Sequence, residues 1–271
     1  MKFENSAVYN FEGAFRGMRN PLNSWNKSDS EFGVSRLDDM PEFDVAWDWV
    51  KEQHPDLDYE SNEFVDIQDQ YAEWLDNQGI LSKDDDYYAV SYAFIGPNDM
   101  NLAQRLCKAG PEHRKFLRQI QVCVDITAPL YWWKEADTYK IGTTANSTST
   151  MHKLASTPIT IDCFETDDYE DDLQLIDPEI ISVRVDGFLS DLEQLRQLYN
   201  QTKDKRYWKE LVRWLPNGWL QTRTITMNYE NLRSICAQRE NHKLTEWHQF
   251  VDWAHTLPYA NELIFDQKVA L

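Results

Sequence analysis

Ala128–Leu154 reads APLYWWKEADTYKIGTTANSTSTMHKL, and two changes of composition inside it organise the rest of the chain. The first is an aromatic cluster, Tyr131, Trp132 and Trp133, separated from Pro129 by Leu130 alone. Proline is tolerated at a helix start, so the cluster reads as the opening of an aromatic helix. The second is Gly142–Thr150, GTTANSTST, in which every residue but Asn146 is small or bears a hydroxyl. Lys140 precedes that run and Lys153 follows it. Small hydroxyl residues cannot fill a core, but they present hydrogen-bond donors and suit a phosphate near a helix start. The reading is an aromatic helix feeding a polar ligand loop. A Ser/Thr-rich surface connection with no ligand is the competing reading.

Outward from this stretch the periodicities define further elements. Ile120–Ile126 alternates Ile120, Val122, Val124 and Ile126, which predicts a strand. Before it, Asn98 or Asp99 is expected to cap a helix that ends at Gly110, and Pro111 to open a short one, PEHRKFLRQ. Downstream, 155–180 reads as an acidic connection and Ile180–Val185 as a short strand. Leu189–Asn200 and Lys205–Trp214 read as helices, and Thr222–Met227 as a strand. Asn228 or Asn231 begins a helix, NLRSICAQREN, and a last helix from about Thr245 carries Trp247, Phe250, Val251, Ala254 and Leu257 on one stripe.

Toward the N-terminus, 31–89 reads as an acidic helical insertion. Its helices fall around Phe43–Gln53 and Ser61–Asn77, the second with Phe64, Ile67, Tyr71 and Trp74 on one face. In residues 1–30, Arg16 and Arg19 lie near Gly13 and Gly17 and read as loop arginines, either solvated or touching a ligand phosphate. The sum is an α+β fold in a single domain over 1–271, an α/β core with two acidic attachments.

With 271 residues, 42% of them hydrophobic and 11 of them Trp, the chain can bury a sizeable core. No apolar run approaches the ~18 residues of a membrane span, and the first residues lack the apolar stretch of a secretory signal. The 4 Cys form no C-x-x-C pair, which fits reduced core thiols in a cytoplasmic protein. His242 and His248 share no helical face and offer no metal pair.

The net charge of −19 is uneven. Glu31–Asp86 holds 18 acids against 3 bases, and Asp162–Glu179 holds 9 acids and no base, which leaves the remainder at +5. A weakly cationic body suits an anionic small molecule, while the total charge disfavours duplex nucleic acid. The acidic insertion is either a solvated face or a surface for a protein partner.

The order of elements, with Asn146, Ser149 and Asn231-Leu232-Arg233-Ser234, resembles the flavin-dependent thymidylate synthase family over roughly 90–155 and 180–260. That family's motif is an Arg-His-Arg triplet with an Asn-Glu-x-Ser ending. Here Tyr139-Lys140-Ile141 stand in the triplet's place, after a slip of one residue from Pro129, and Ser147 replaces the Glu. The family's nucleotide-gripping Arg-Arg-Tyr is Thr150-Met151-His152, followed by Lys153. Sequences similar to TYKIGTTANSTSTMHK belong to bacterial viruses, so a viral protein in a host cytoplasm is the implied setting.

The resemblance implies a nucleotide held by Lys140, Asn146, Ser149, Lys153 and Arg239, and FAD held by Asn231, Arg233 and Tyr139. It implies a homo-oligomer, a tetramer in the family. NADPH and methylenetetrahydrofolate enter only where the family's methylation of deoxyuridylate is retained. The departures cut against that activity. An arginine fork binds phosphate bidentately where a lysine is a point charge, and each charge-assisted bond lost removes about 1.5–3 kcal/mol. A fold relative without the chemistry, working through its acidic surface, is the alternative.

Overall fold

The computed structural model describes residues 1–36, 81–84, 87–166 and 178–265. Strands and helices are numbered along these residues. The strands are β1 (Lys2–Tyr9), β2 (Glu31–Arg36), β3 (Leu81–Asp84), β4 (Tyr87–Phe94), β5 (Gln121–Pro129), β6 (Thr144–Ser147) and β7 (Leu220–Asn228). The helices are α1 (Phe11–Arg19), α2 (Pro97–Ala109), α3 (Leu130–Ala136), α4 (Thr150–Ser156) and α5 (Pro178–Thr202). After them come α6 (Lys205–Trp214), α7 (Tyr229–Arg239), α8 (Thr245–His255) and α9 (Ala260–Leu263). One sheet has the order β1-β5-β7-β6 and a second the order β2-β4-β3, so the fold is α+β. Among the described residues no helix is long and apolar enough to cross a membrane. The helices expected at Phe43–Gln53 and Ser61–Asn77 lie outside the described residues.

The chain forms two compact units. The first comprises 1–3, 125–140 and 145–224; the second comprises 4–124, 141–144 and 225–271. In the first, Leu154, Ile159, Phe164, Leu189, Leu192, Leu211 and Trp219 make one buried cluster. Its α5 carries Leu189 and Leu192 at helical spacing into that cluster, and α6 adds Leu211. The end of α4 is tied down by α5: Arg196 Nη1 and Asn200 Nδ2 both donate to the Ala155 carbonyl, at 3.1 and 2.7 Å. Glu193 accepts from Arg196 and from the Ile159 N–H. The Arg196 hydrogen bond, working against burial and helped by Ile159 and Gln197, holds the Glu193 carboxyl down at about 2.

The second unit is built around aromatic side chains. Phe11 meets Tyr229 and Tyr259 edge-on, Phe15 meets Phe116, and Trp247 meets Phe250. Burial pushes the Tyr229 phenol well up, and its hydroxyl donates to the Pro258 carbonyl. Cys236 is buried and pushed up to about 12 by desolvation, so its thiol stays protonated and inert.

Four expectations are corrected. Ile180–Val185 is not a strand but part of the first turns of α5. The apolar run Ile180, Ile181, Val183 and Val185 fits either period, and the continuing Leu189 and Leu192 decide for helix. The stretch PEHRKFLRQ yields only a 3₁₀ turn at Lys115–Arg118. Neither Asn98 nor Asp99 caps α2, which opens at Pro97 with Gly96 at the N-cap. Instead the N–H groups of Asn98 and Asp99 donate to the Asp29 carboxylate. A Cβ at Gly96 would lie 2.3 Å from Asp29, so only glycine lets that carboxylate close on the helix start.

Arg16 and Arg19 are helical, not loop residues, and Arg19 is buried. Its Nε donates to Asp99 Oδ1 at 2.5 Å, while Ser28 and Ser30 donate to Oδ2. Burial works to raise the Asp99 pKa, but these three hydrogen bonds together hold it below the ordinary carboxylate value. This ion pair is spent inside the fold and offers nothing to a phosphate.

Candidate functional site

The aromatic helix forms as expected, with Pro129 at the N-cap of α3. Trp132 and Trp133 are each 1% exposed and pack edge to face, so both rings belong to the core. The Trp133 Nε1–H donates to the Gln221 carbonyl, and the Arg223 guanidinium lies over its ring, 4.2 Å from the centroid.

The hydroxyl run is more ordered than a loop. Thr144–Ser147 is β6, and Thr150 begins α4. All four β6 residues are exposed, which is why no apolar alternation announced the strand: it is held by its neighbour's backbone, not by burial. The Thr148 N–H donates to the Thr222 carbonyl at 2.8 Å, and the Thr222 N–H returns to Thr148 Oγ1 at 3.3 Å. On β5 and β7, Thr127 and Thr222 share a hydroxyl–hydroxyl bond of 2.7 Å.

The first unit holds Tyr139, Lys140, Asn146, Ser149 and Lys153. Asn146 is exposed on β6, Ser149 is the N-cap of α4, and Lys140 and Lys153 are exposed at either end of the run. Ser149 accepts backbone bonds from His152 and Lys153 through its carbonyl, yet its hydroxyl makes no capping bond. Among the described residues the side chains of Lys140, Asn146, Ser149 and Lys153 have no hydrogen-bond or ion-pair partner.

The second unit holds Asn231, Arg233 and Arg239, and there the side chains are engaged. Asn228 and Asn231 form a reciprocal capping box at the start of α7, with bonds of 3.0 and 3.2 Å. The Asn231 amide also donates to the Ile141 carbonyl at 2.7 Å. Gly142 sits at φ +77, and a Cβ there would meet Asn228 at 3.0 Å and Asn231 at 3.2 Å. The Ile141–Gly142 turn is thus packed against the cap of α7 within the second unit. Arg233 Nη1 donates to the carbonyls of Leu263 and Ile264, at 3.0 and 2.9 Å, and so caps the end of α9. The Arg239 guanidinium lies over the Trp247 ring at 4.6 Å.

Sequence reasoning passed over Gln221 and Arg223. Gln221 is buried on β7 and donates to the Thr148 carbonyl and to Thr150 Oγ1. A polar residue on the inward side of an alternating strand was the available signal.

No protein-family model matches the chain, and no curated protein matches it. Among solved structures it is similar to a flavin-dependent thymidylate synthase, ThyX, from Helicobacter pylori in complex with FAD and dUMP. There the TM-score is 0.47 at 18% identity, over 63% of this chain and 84% of that one. It is likewise similar to a thymidylate synthase X from Helicobacter pylori with FAD and dUMP, with a TM-score of 0.46 at 14% identity, over 88% of this chain and 98% of that one.

Proposed function

We propose that the segment from Lys140 to Lys153 binds the phosphorylated end of a nucleotide, and that the protein is a nucleotide-binding relative of the flavin-dependent thymidylate synthases. One observation carries the reading. Lys140, Asn146, Ser149 and Lys153 sit along one short ordered stretch with side chains that no described residue engages. Two cations, a hydroxyl and an amide are the groups a phosphate and a sugar or base require. The stretch is held without them, by pairing of β6 with β7 and by the Thr148 N–H on the Thr222 carbonyl.

A flavin fits the described residues less well. Asn231 spends its amide on the Ile141 carbonyl and the helix cap, and Arg233 donates to the ends of α9. Each would have to give up bonds that hold the fold before it met a cofactor. Tyr139-Lys140-Ile141 brings a single cation where a flavin diphosphate asks for more. Binding rather than thymidylate synthesis is the function these residues support.

The test is a calorimetric titration of the full chain with dUMP and with deoxyuridine, beside a search for flavin absorbance in the purified protein. Binding of dUMP that deoxyuridine does not reproduce, and that weakens as salt is raised, is the expected result. A folded chain that takes up neither dUMP nor FAD overturns the reading.

A further inference from the structure

Arg223 belongs to no motif. It follows Gln221 by two residues on β7, so the two side chains leave the same face. The buried Gln221 amide is committed at both ends. Its Nε2 donates to the Thr148 carbonyl at 2.9 Å and to Thr150 Oγ1 at 3.2 Å, and its Oε1 accepts from Arg223 Nε at 2.9 Å. Arg223 and Thr150 are thus bound to one amide group, which fixes the guanidinium beside the end of the hydroxyl run. The Trp133 ring supports it from one side, and Nη1 donates to Asp137 Oδ1 at 2.7 Å.

These bonds use two of the five guanidinium N–H donors. Among the described residues the other three have no partner, and the side chain remains 16% exposed. A partly dehydrated arginine in this state is a strong donor to an oxyanion, and its orientation is already set. Thr150 accepts from the same Gln221 amide and keeps its own O–H as a donor. Asp137 is the opposing element. Its carboxylate is 52% exposed and occupies one edge of the guanidinium until a stronger anion competes for it.

We propose that Arg223, with the Thr150 hydroxyl, is the phosphate-binding fork of this unit, and that its ligand is a phosphate monoester dianion. The inference rests on the nucleotide reading above and supplies the arginine that Tyr139-Lys140-Ile141 lacks. Asp137 sets the affinity by competing for the fork.

The experiment is calorimetric titration of the full chain with dUMP, and with inorganic phosphate as a second probe, in the native protein, Arg223→Met and Asp137→Asn. Thermal unfolding of each is recorded alongside. Arg223→Met is expected to weaken dUMP by about tenfold or more, the worth of one charge-assisted bond. Asp137→Asn is expected to tighten dUMP several-fold although it removes an ion pair.

An ion pair that served only the fold would lower the melting temperature in both variants and move neither affinity in opposite directions. Unchanged dUMP affinity in either variant, or a shift of the same sign in both, overturns the proposal. Native protein that binds dUMP while Arg223→Met binds it equally removes Arg223 and leaves the nucleotide reading standing. Native protein that binds neither probe removes both. If Arg223→Met does not fold, the sign of the Asp137→Asn shift decides alone.

Discussion

The hydroxyl run and the Asn228–Arg239 helix carry similar polar chemistry and use it in opposite ways. In the helix, Asn228, Asn231, Arg233 and Arg239 are occupied by a capping box, a turn carbonyl, two helix-end carbonyls and a tryptophan ring. In the run, Lys140, Asn146, Ser149 and Lys153 are held in place by backbone and by Gln221, and their side chains are engaged by no described residue. The difference teaches that a match to a ligand-binding motif has two physical sources. Asn231-Leu232-Arg233-Ser234 matches its motif with residues that the fold itself needs. The run matches less of its motif, and its side chains are bonded to no described residue.

That contrast can be broken or sharpened by substitution, taken from the largest stability effect to the smallest. Arg233→Met removes a charged donor from two carbonyls at the end of α9 and should cost about 3 kcal/mol of stability in urea unfolding, with dUMP affinity unchanged. Lost affinity at full stability would instead make Arg233 a ligand group and erase the contrast.

Acid should act on the first unit through Glu193. Its folded pKa of about 2 lies below the ordinary 4.5, so its contribution is present above about pH 4.5 and is lost as pH falls toward 2. About 2–3 kcal/mol is at stake. Glu193→Gln should forfeit that amount at neutral pH and flatten the acid limb of a urea-midpoint profile; a profile unchanged from the native one refutes the assignment.

Gly142→Ala forces a side chain into the left-handed region against Asn228 and Asn231 and should lower stability by about 1–2 kcal/mol. Smallest is Ser149→Ala. Its hydroxyl caps nothing, so stability should stay within about 0.5 kcal/mol while dUMP affinity drops by about tenfold. A stability loss without an affinity loss would make the run an ordinary surface connection.

Much of the scaffold could be read in the residues. Ile120–Ile126, the Pro129 helix start, Thr222–Met227, the Asn228 cap and the Trp247 stripe all appear, because each rests on local periodicity or capping chemistry. What failed was set by tertiary structure. The β6 strand has no apolar face to announce it, and the start of α5 carries β-branched residues that fit two periods. The Arg19–Asp99 pair spans distant segments, so spacing gave no sign of it. For the site, residue types picked out Ser149 and Lys140, but Arg223 becomes visible only when Trp133, Asp137 and Gln221 close round it.

The small second sheet has a consequence for how the chain tolerates change. Ser35 of β2 and Leu81 of β3 both pair with Val90, on opposite edges of β4. The backbone thus departs at residue 36 and re-enters at 81 across two interstrand spacings, about 10 Å. A connection of a few residues could span that gap. Lengthening it costs only about 0.6 kcal/mol of closure entropy for each doubling. Replacing residues 37–80 by a short linker is therefore expected to leave the pairing of β2 and β3 with β4 in register.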